Sequence, residues 1–370
     1  MSDVPHLRFP EFCGEWEETT LGKISEITKG SGISKDQLSE QGSPCILYGE
    51  LYTKYKSEII DEVYSRTELD SSSLVKSKAN DVIIPCSGET AIDISTARCV
   101  PFNNILLGGD LNIIRLNQDD GGFFAYQLNG ARKKDIARVA QGVSVVHLYG
   151  ENLKHIRVYH PVVEEQKKIT RLLSLIDERI ATQNKIIEKL QSLIKGLAAQ
   201  LTQSGTPNIR LCDCLECHSS TLQENCVSVT GSYPVYGATG LIGYTNNYAY
   251  SGESILIVKD GSGVGSLSYV NDHFSVIGTL NYLTAKENYS ILYLYYALMA
   301  FNFTPYITGM AIPHIYFKDY GKAKLFYPSN EKRIRITSLL HNIEQKLVVE
   351  QNLVISLSAQ KSYLLRMLFI

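Results

Sequence analysis

The sequence lacks a basic excess, a membrane-length apolar run and an export signal. Lysine and arginine number 36 against 38 acidic residues, which argues against a general nucleic-acid coat, since such proteins usually carry a clear basic excess. No apolar run approaches the roughly 20 residues of a membrane span, so we expect no membrane partner. The segment Met1–Phe12 has no basic patch followed by an apolar stretch, so we expect no secretory signal. We therefore expect a cytoplasmic protein whose eight cysteines are reduced thiols.

Motifs of catalytic and cofactor chemistry are also missing. The glycine-rich segment Gly261–Gly265 does not end in Gly-Lys-Ser/Thr, so it is not a P-loop. The chain has no Asn-Pro-Pro-Tyr or Asp-Pro-Pro-Tyr segment, no dinucleotide fingerprint that opens a helix, and no nucleophile elbow. These absences predict no catalytic residue and favour a binding or scaffolding protein.

One cysteine-rich segment raises the question of a metal site. It contains Cys212, Cys214, Cys217 and His218, with Cys226 nearby. Thiolates and an imidazole at this density could bind zinc. Against zinc, Cys214 and Cys217 fall where the first half of the chain has Ile24 and Ile27, and buried free cysteine behaves as a small hydrophobe. We favour core packing, and so predict no metal, while zinc stays an alternative.

What the sequence does contain is an internal repeat. The stretch from Gln141 to Leu201 recurs without a gap from Thr308 to Leu368, at a shift of 167 positions. Gly142, His147, Tyr149, Pro161 and Glu164 recur as Gly309, His314, Tyr316, Pro328 and Glu331. A chain built from two copies of one unit is expected to have approximate two-fold symmetry.

Each copy includes a long helix with an apolar seam. Apolar residues spaced alternately by three and four predict heptads sustained over about 40 residues, roughly 60 Å of helix. Each seam also carries a polar residue at the same place, which favours one register. The predicted seam consists of Ile169, Leu173, Ile176, Ile180, Gln183, Ile187, Leu190, Ile194, Leu197 and Leu201, and of Ile336, Leu340, Ile343, Leu347, Glu350, Val354, Leu357, Leu364 and Leu368.

The simplest partner for each seam is the other helix. An antiparallel pair would place the two globular parts at opposite ends of a rod, whereas the alternative has each helix covering its own domain. The globular parts contain short alternating runs bounded by Gly, Asn and Asp, which predict strands of small twisted sheets at 81–84, 111–114, 254–258 and 265–270. A helical segment is predicted at 123–138 and matched at 291–301, and apolar residues at helical spacing recur at 21–27 and 211–217. We predict a mixed α/β (α+β) fold of two sheet-containing domains and two antiparallel coiled-coil spacer helices, with pseudo-two-fold symmetry. The predicted boundaries are 1–162 and 203–329 for the domains, and 163–202 and 330–370 for the helices.

Several motifs resemble type I restriction-modification specificity subunits. They are Leu7–Phe12 with Gly14–Trp16, Tyr48–Tyr55, Gly88–Thr90 followed by Gly108–Asn112, Tyr233–Gly237 with Gly240 and Gly243–Tyr244, Lys259–Gly261, and the Pro-x-x-x-Glu-Gln start of the first helix at Pro161–Gln166. The resemblance covers essentially the whole chain. The second helix start departs from it, because Lys332 and Arg333 stand where the pattern has Glu and Gln.

The resemblance implies a non-catalytic DNA-specificity subunit of a bacterial or archaeal phage-defence complex. Each globular part would be a target recognition domain that reads half of a split, asymmetric site on double-stranded DNA. Two modification (adenine-N6 methyltransferase) subunits would dock on the helices, and restriction (translocase and nuclease) subunits would join them. S-adenosylmethionine, ATP and Mg would bind those partners, and this chain would hold no cofactor itself.

The residues that would contact DNA are predicted from polar, aromatic and basic side chains near these motifs. In the first domain they are Tyr48, Glu50, Tyr52, Thr53, Lys54, Tyr55, Ser87, Glu89 and Thr90, the basic stripe Arg132, Lys133, Lys134 and Arg138, and His147. In the second they are Tyr236, Tyr244, Asn246, Asn247, Lys259, Asp260, Ser262, His314 and Lys318. The stripe could instead be a solvated helix face, and the two histidines could make structural hydrogen bonds within a repeated loop.

Two other functions remain open at this point. A solitary DNA methyltransferase fused to its own reader is disfavoured by the missing cofactor motifs. A coiled-coil scaffold that bridges two proteins without binding DNA explains the helices. It does not explain why each helix follows an aromatic, glycine-punctuated domain.

Overall fold

The structure, a computed structural model, describes residues 4–370. The first three residues, which the predicted first domain includes, lie outside the described residues. The chain divides into two compact units, one containing the residues up to Asn184 together with Leu353–Ile370, the other containing Lys185–Asn352. Each unit combines sheets with helices, so the predicted mixed α/β class with two sheet-containing parts and long helices is confirmed.

The first unit contains twelve strands among the described residues. They are β1 Glu17–Thr20, β2 Ser25–Lys29, β3 Leu38–Ser39, β4 Ser43–Ile46, β5 Ser65–Thr67, β6 Asp81–Pro85, β7 Ser87–Gly88, β8 Arg98–Val100, β9 Leu106–Leu107, β10 Leu111–Leu116, β11 Val146–His147 and β12 Arg157–His160. Its helices are α1 Leu21–Ile24, α2 Glu50–Thr53, α3 Ala91–Ile94, α4 Gly121–Asn129, α5 Lys133–Val139, α6 Gly150–Lys154 and the first part of α7 Val163–Thr202, with a 3-10 turn at Lys35–Gln37.

Two four-stranded sheets form the centre of this unit. One has the order β2-β10-β6-β8 and is antiparallel throughout; the other has the order β3-β5-β4-β9, with β4 and β9 parallel. Strand β6 is buried along its whole length, which explains the apolar run Val82–Pro85 that follows its first residue, Asp81. Helix α4 is also buried almost all round, and its Phe123 and Phe124 join a core that the long helices complete through Ile169, Leu173 and Leu364.

The second unit contains eight strands. They are β13 Ile209–Arg210, β14 Leu215–Ser219, β15 Tyr233–Gly237, β16 Gly240–Thr245, β17 Tyr250–Val258, β18 Leu267–Val276, β19 Leu280–Ala285 and β20 Lys324–Leu325. Its helices are α8 Leu211–Cys214, α9 Ile291–Met299, α10 Phe317–Tyr320 and the main part of α11 Asn330–Met367, with 3-10 turns at Glu224–Cys226 and Thr304–Tyr306.

One six-stranded sheet, β14-β19-β17-β18-β15-β16, organises the second unit. All its pairs are antiparallel except β15 with β18. Helix α9 packs its buried tyrosines and leucines against this sheet, and Ala198, Ile336 and Leu340 of the long helices belong to the same core.

The repeat in sequence reappears as a repeat of elements. The short pair β1-β12 corresponds to β13-β20, the turn α1 to α8, and the buried helix α4 to α9. The predicted strands at 81–84, 111–114 and 254–258 are confirmed, as β6, β10 and β17, and the strand predicted at 265–270 is β18, which begins at Leu267. The predicted helical segment at 123–138 is interrupted, since α4 ends at Asn129 and α5 begins at Lys133.

The helical spacing read at 21–27 was wrong beyond its first turn. Helix α1 ends at Ile24, and Ser25–Lys29 pairs with β10 instead. The equivalent cysteines therefore do not share a helix, because Cys214 closes α8 and Cys217 lies in β14. The Cys214 thiol is buried and donates to the backbone carbonyls of Arg210 and Leu211, and burial raises its pKa to about 12.

The two long helices begin two residues after Pro161 and Pro328, as the sequence predicts. Every predicted seam residue is buried or half-buried, and the polar Gln183 is only 2% exposed. No helix within residues 4–370 is long and apolar enough to cross a membrane.

The first long helix is fastened to its unit by two consecutive polar residues. Glu165 is fully buried, and its carboxylate accepts hydrogen bonds from the Arg8 guanidinium at 2.8 and 2.7 Å. Gln166, also fully buried, donates to Asp119 Oδ1 at 2.7 Å and accepts from the Asp120 backbone N–H at 2.9 Å. Buried polar groups need such partners to avoid a desolvation cost. The Glu-Gln pair therefore joins helix to domain.

The second long helix uses cations and aromatic rings at the equivalent positions. Lys332 Nζ lies 5.1 Å from the centroid of the Phe326 ring and donates to Ser204 Oγ at 3.0 Å. The Arg333 guanidinium carbon lies 4.7 Å from the Tyr327 ring centroid. Cation–π contacts thus replace the ion pair and amide bonds of the first helix start.

Candidate nucleic-acid interface

A groove of about 860 Å³ in the first unit collects several of the predicted DNA-contacting residues. Its walls include Tyr48, Thr53 and Lys54 from the α2 segment, facing Lys35 and Asp110. Helix α2 is held in place by Arg98, which is 7% exposed and donates to the backbone carbonyls of Leu51 and Tyr55 at 3.1 and 2.9 Å. The groove thus combines polar side chains and one aromatic ring with apolar residues such as Ile33 and Leu47.

Two of the predicted readers in this segment have structural roles that remove them from the surface. Glu50 is 5% exposed and accepts from the Leu47 backbone N–H at 3.0 Å, from Lys54 Nζ at 2.6 Å and from the Ser65 hydroxyl. Tyr55 is 3% exposed and packs in a core cluster, where burial raises the pKa of its hydroxyl. Tyr55 is enclosed by protein, while Glu50 lines the groove with its carboxylate held by these three bonds, so neither side chain extends from the surface.

A second patch forms where β7 pairs with β11. The ladder places Ser87 opposite His147, and Val146 opposite Gly88. Thr90 caps α3 by accepting from the Asp93 N–H at 3.1 Å, while Glu89 beside it is exposed. Tyr52 also lies close to this patch, with Tyr48, Glu89 and Asp93 nearby. Burial and these neighbours raise the pKa of the Tyr52 hydroxyl. Residues far apart in sequence therefore meet on one surface.

The predicted basic stripe is divided by the fold. Arg132 lies 5.3 Å from the Tyr159 ring centroid and donates to the Ile370 carbonyl, so it holds the C-terminal residue. Lys133 is half-buried, and burial together with Arg98 lowers its pKa. Only Lys134 and Arg138 are exposed, and Arg138 pairs with Asp135 at 2.8 Å. The stripe as a whole does not face solvent, because Arg132 contacts other residues of the unit and Lys133 is half-buried.

The second unit presents its predicted residues in two places. The hairpin β15-β16 carries half-buried Tyr236 and Tyr244, with a bulge after Val235 and exposed Asn246 and Asn247 following it.

The other place is the turn after β17. There the Lys259 carbonyl accepts from the Ile315 N–H at 3.0 Å and Asp260 bridges to His314, while Ser262 is exposed. Nearby, Lys318 Nζ lies 5.1 Å from the Tyr316 ring centroid.

Three further sets of residues at the surface were not among the predicted DNA-contacting residues. Lys35 and Gln37 line the first-unit groove, and the Ser34-x-x-Gln37 capping box is the local signal that could have pointed to them. Tyr233, Tyr248 and His273 form an aromatic cluster in the second unit, with ring centroids 4.6 to 5.8 Å apart. The third set is the exposed apolar side chains Val143, Val145, Met310 and Ile312.

No three His, Cys, Asp or Glu side chains within residues 4–370 are placed to share a metal ion. The two units offer loops, short helices and a hairpin with polar and aromatic side chains. Such surfaces suit recognition by hydrogen bonding and stacking.

Comparison with known proteins points to one family. A model of the type I restriction modification DNA specificity domain matches residues 14–192 and again 209–357. The EcoprrI specificity subunit of a type I restriction enzyme from Escherichia coli is 26% identical over 112 residues, which are 30% of this chain and 28% of that protein. The MjaVIII specificity subunit from Methanocaldococcus jannaschii is 24% identical over 201 residues, 54% of this chain and 44% of that protein. The matches thus span less than half of these relatives' lengths.

A solved structure extends the likeness to the whole fold. The crystal structure of a type I restriction-modification S subunit from M. genitalium superposes with a TM-score of 0.70 at 18% identity, and the match covers 99% of both chains. At this identity the likeness concerns the fold.

Proposed function

The chain belongs to the type I restriction-modification DNA specificity family, and from that premise we propose that each of its units reads one half of a split, asymmetric DNA site. One observation carries this proposal. The two units repeat the same supporting elements, yet their candidate contact residues lie on unlike structures, a groove beside α2 in one and the β15-β16 hairpin in the other. Two different readers on one scaffold suit two different half-sites.

The charge distribution supports local rather than general DNA contact. Phosphate contacts supply most sequence-independent affinity, and they require accessible cations. The candidate surfaces offer a few cations, Lys54, Lys134 and Arg138 in the first unit and Lys259 and Lys318 in the second, on a chain with net charge −2. Tight DNA binding by this chain would therefore depend on cations from partner subunits.

We propose that two modification subunits, each carrying S-adenosylmethionine, dock along the long helices and flip adenines out of the two half-sites. What supports docking there is that apolar residues recur along the exposed faces of both α7 and α11, since it is grouped and not single exposed apolar side chains that mark interaction surfaces. They include Leu175, Leu193, Ile334, Leu339, Val349 and Ile355. Restriction subunits that use ATP and Mg would complete the assembly. This chain would determine which DNA sequence is bound and would not catalyse a step.

The experiment is to map methylated adenines in DNA from cells that express the chain with its modification subunits. We expect methylation within a single two-part sequence. Methylation at a contiguous site, or none, contradicts the proposal. Methylation by the purified chain alone would indicate a solitary methyltransferase. Failure of the chain and modification subunits to bind any duplex would indicate a protein scaffold.

A matched pair of variants tests the division of labour between the units. Lys259→Ala should relax the preference at one position of one half-site and leave the other half-site unchanged, because its side chain lies at the candidate surface of the second unit. Lys322→Ala, an exposed lysine of the same unit, should leave the sequence preference as it is. An equal loss of affinity for every duplex in Lys259→Ala would instead mark a phosphate contact.

A further inference from the structure

Two loops at equivalent places in the two units each lift two apolar side chains into solvent. Val143 is 97% exposed and Val145 53% exposed in the first unit. At a shift of 167 positions, Met310 is fully exposed and Ile312 is 65% exposed in the second. Exposed apolar side chains scattered singly need no explanation, but the same pair in both halves of a repeat does. We name the four residues the apolar tips.

The backbone builds both tips in the same way. Gly142 and Gly309 have φ of +120° and +88°, and a Cβ on either would lie 2.1 or 2.3 Å from the carbonyl oxygen of Val145 or Ile312. Two backbone hydrogen bonds close each loop, between Gln141 and His147 in one unit and between Thr308 and His314 in the other. The tips are therefore presented by formed turns.

Each loop is bonded to the candidate DNA-contacting residues of its own unit. In the first, β11 pairs with Ser87 and Gly88, and Leu148 N–H donates to the Cys86 carbonyl at 2.8 Å. In the second, Asp260 forms a β-bridge with His314, and the Ile315 N–H that follows the loop donates to the Lys259 carbonyl at 3.0 Å.

Below the tips, the two loops carry the same kind of aromatic pair. The His147 ring centroid lies 6.2 Å from that of Tyr149, and the His314 ring centroid 5.1 Å from that of Tyr316. The tips thus rise beside the surfaces that would face DNA.

We propose that the apolar tips insert into the base stack of the duplex beside each target adenine and so ease its removal from the helix. The inference rests on the proposed function. Because the two half-sites differ, a feature shared by both units performs a task independent of sequence. Apolar wedges between base steps unstack DNA in many architectural proteins, and enzymes that modify a base must pay for unstacking it.

The size of the tips favours DNA over a protein partner. A stable protein interface covers about 800 Å² on each side. In the first unit the two apolar side chains are flanked by Gln141, Ser144 and His147, and in the second they stand with exposed Ile307 and Ala311, so each loop offers a few side chains and not such a surface. A few apolar side chains are enough for a wedge between base steps.

The test uses the chain assembled with its modification subunits and a duplex of the mapped sequence. 2-Aminopurine replaces the target adenine of one half-site at a time, since its fluorescence rises when it leaves the stack. The variants are the doubles Val143→Ser with Val145→Ser and Met310→Ser with Ile312→Ser. Each double variant is the control for the other half-site, and Val162→Ser, 60% exposed and outside the loops, is the surface control.

We expect each double variant to lower the fluorescence rise about ten-fold in its own half-site only, with duplex affinity within about three-fold and the assembly intact. Unchanged fluorescence in both half-sites overturns the proposal. Loss of the modification subunits from the complex also overturns it, because the loops would then be a protein-docking surface. If the wild-type complex itself binds no duplex, the proposed function fails, and this result is seen before any variant is made.

Discussion

Replacing Lys361 with methionine should loosen the first unit at the end of the second long helix. Lys361 is 13% exposed in its side chain, and its ammonium group lies 2.6 Å from Asp177 Oδ1 and pairs with Glu58 as well. Asp177 also accepts from the Tyr126 hydroxyl at 2.7 Å, and burial together with this carboxylate raises the pKa of Tyr126. Lys361 therefore pairs directly with two carboxylates that are each about nine-tenths buried, and the Arg98 guanidinium lies close enough to interact with both.

The magnitude follows from what the substitution leaves behind. Methionine keeps the apolar length of the lysine stem, so packing is largely retained. The two carboxylates lose their cation, and breaking a buried pair costs about 3 to 5 kcal/mol. We expect about 3 kcal/mol, the lower end, because the cluster keeps some contact with water. In a unit of this size the loss corresponds to a fall in Tm of about 6 to 12 °C.

The assay is thermal unfolding followed by hydrogen exchange and mass spectrometry, which separates the two units. Peptides from α4 and from residues 353–367 should exchange at lower temperature in Lys361→Met. Arg335→Met on the same helix is the control, since that arginine is 77% exposed and its ion pair with Glu331, which is 76% exposed, is worth at most about 0.5 kcal/mol. A fall in Tm of less than about 2 °C in Lys361→Met would refute the role of the cluster.

Three further predictions concern single side chains. His160→Gln should flatten the pH dependence of Tm. The bond to Asp119 raises the pKa of His160, so its stabilisation is complete below about pH 6.5 and is lost as pH rises through the folded-state pKa. Burial alone would raise the pKa of Asp119, but hydrogen bonds from His160 and Gln166 hold it below 3.8, so the stabilisation from this carboxylate is lost only in acid. An equal fall of Tm in wild type and variant between about pH 6 and 8.5 would contradict the reasoning. Glu165→Gln should lower the free energy of unfolding by about 2 kcal/mol in urea titrations, because Arg8 loses its charged acceptor, while exposed Glu164→Gln should change it by under about 0.5 kcal/mol. Gly196→Ala should raise Tm by stabilising α7 by about 0.5 to 1 kcal/mol, since a Cβ there meets nothing within 4 Å; a lower Tm would show an unseen clash.

Local patterns predicted the long helices and the buried strands because those elements carry their own signal. Strand β6 is apolar from Val82 to Pro85, and α7 keeps its heptad spacing to the end. The error at 21–27 has the opposite origin. Three apolar residues at helical spacing predicted a helix, but Ser25–Lys29 forms a strand because it pairs with β10. A pairing between segments so far apart in sequence cannot be detected from a few neighbouring residues.

The candidate site was less predictable because exposure depends on contacts distant in sequence. Tyr55 and Tyr52 look alike in the chain, yet one is enclosed by a core cluster and the other lies beside Glu89. Arg132 resembles its neighbours in the basic stripe, but its partner is the carbonyl of Ile370, 238 positions away. Amphipathic and basic side chains can either pack inside a domain or lie exposed at its surface, and only the fold decides which.

The unlike starts of the two long helices show how a symmetric scaffold tolerates asymmetric sequence. Glu165 and Gln166 are fully buried and bonded within their own unit, so the change to Lys332 and Arg333 alters an internal joint. The replacement by cation–π contacts preserves a fixed helix start by other means. If two identical modification subunits bind the two halves of this chain, as we propose, their shared recognition features must therefore lie among exposed residues, and the loss of the Glu-Gln motif at the second helix gives no reason to expect weaker docking there.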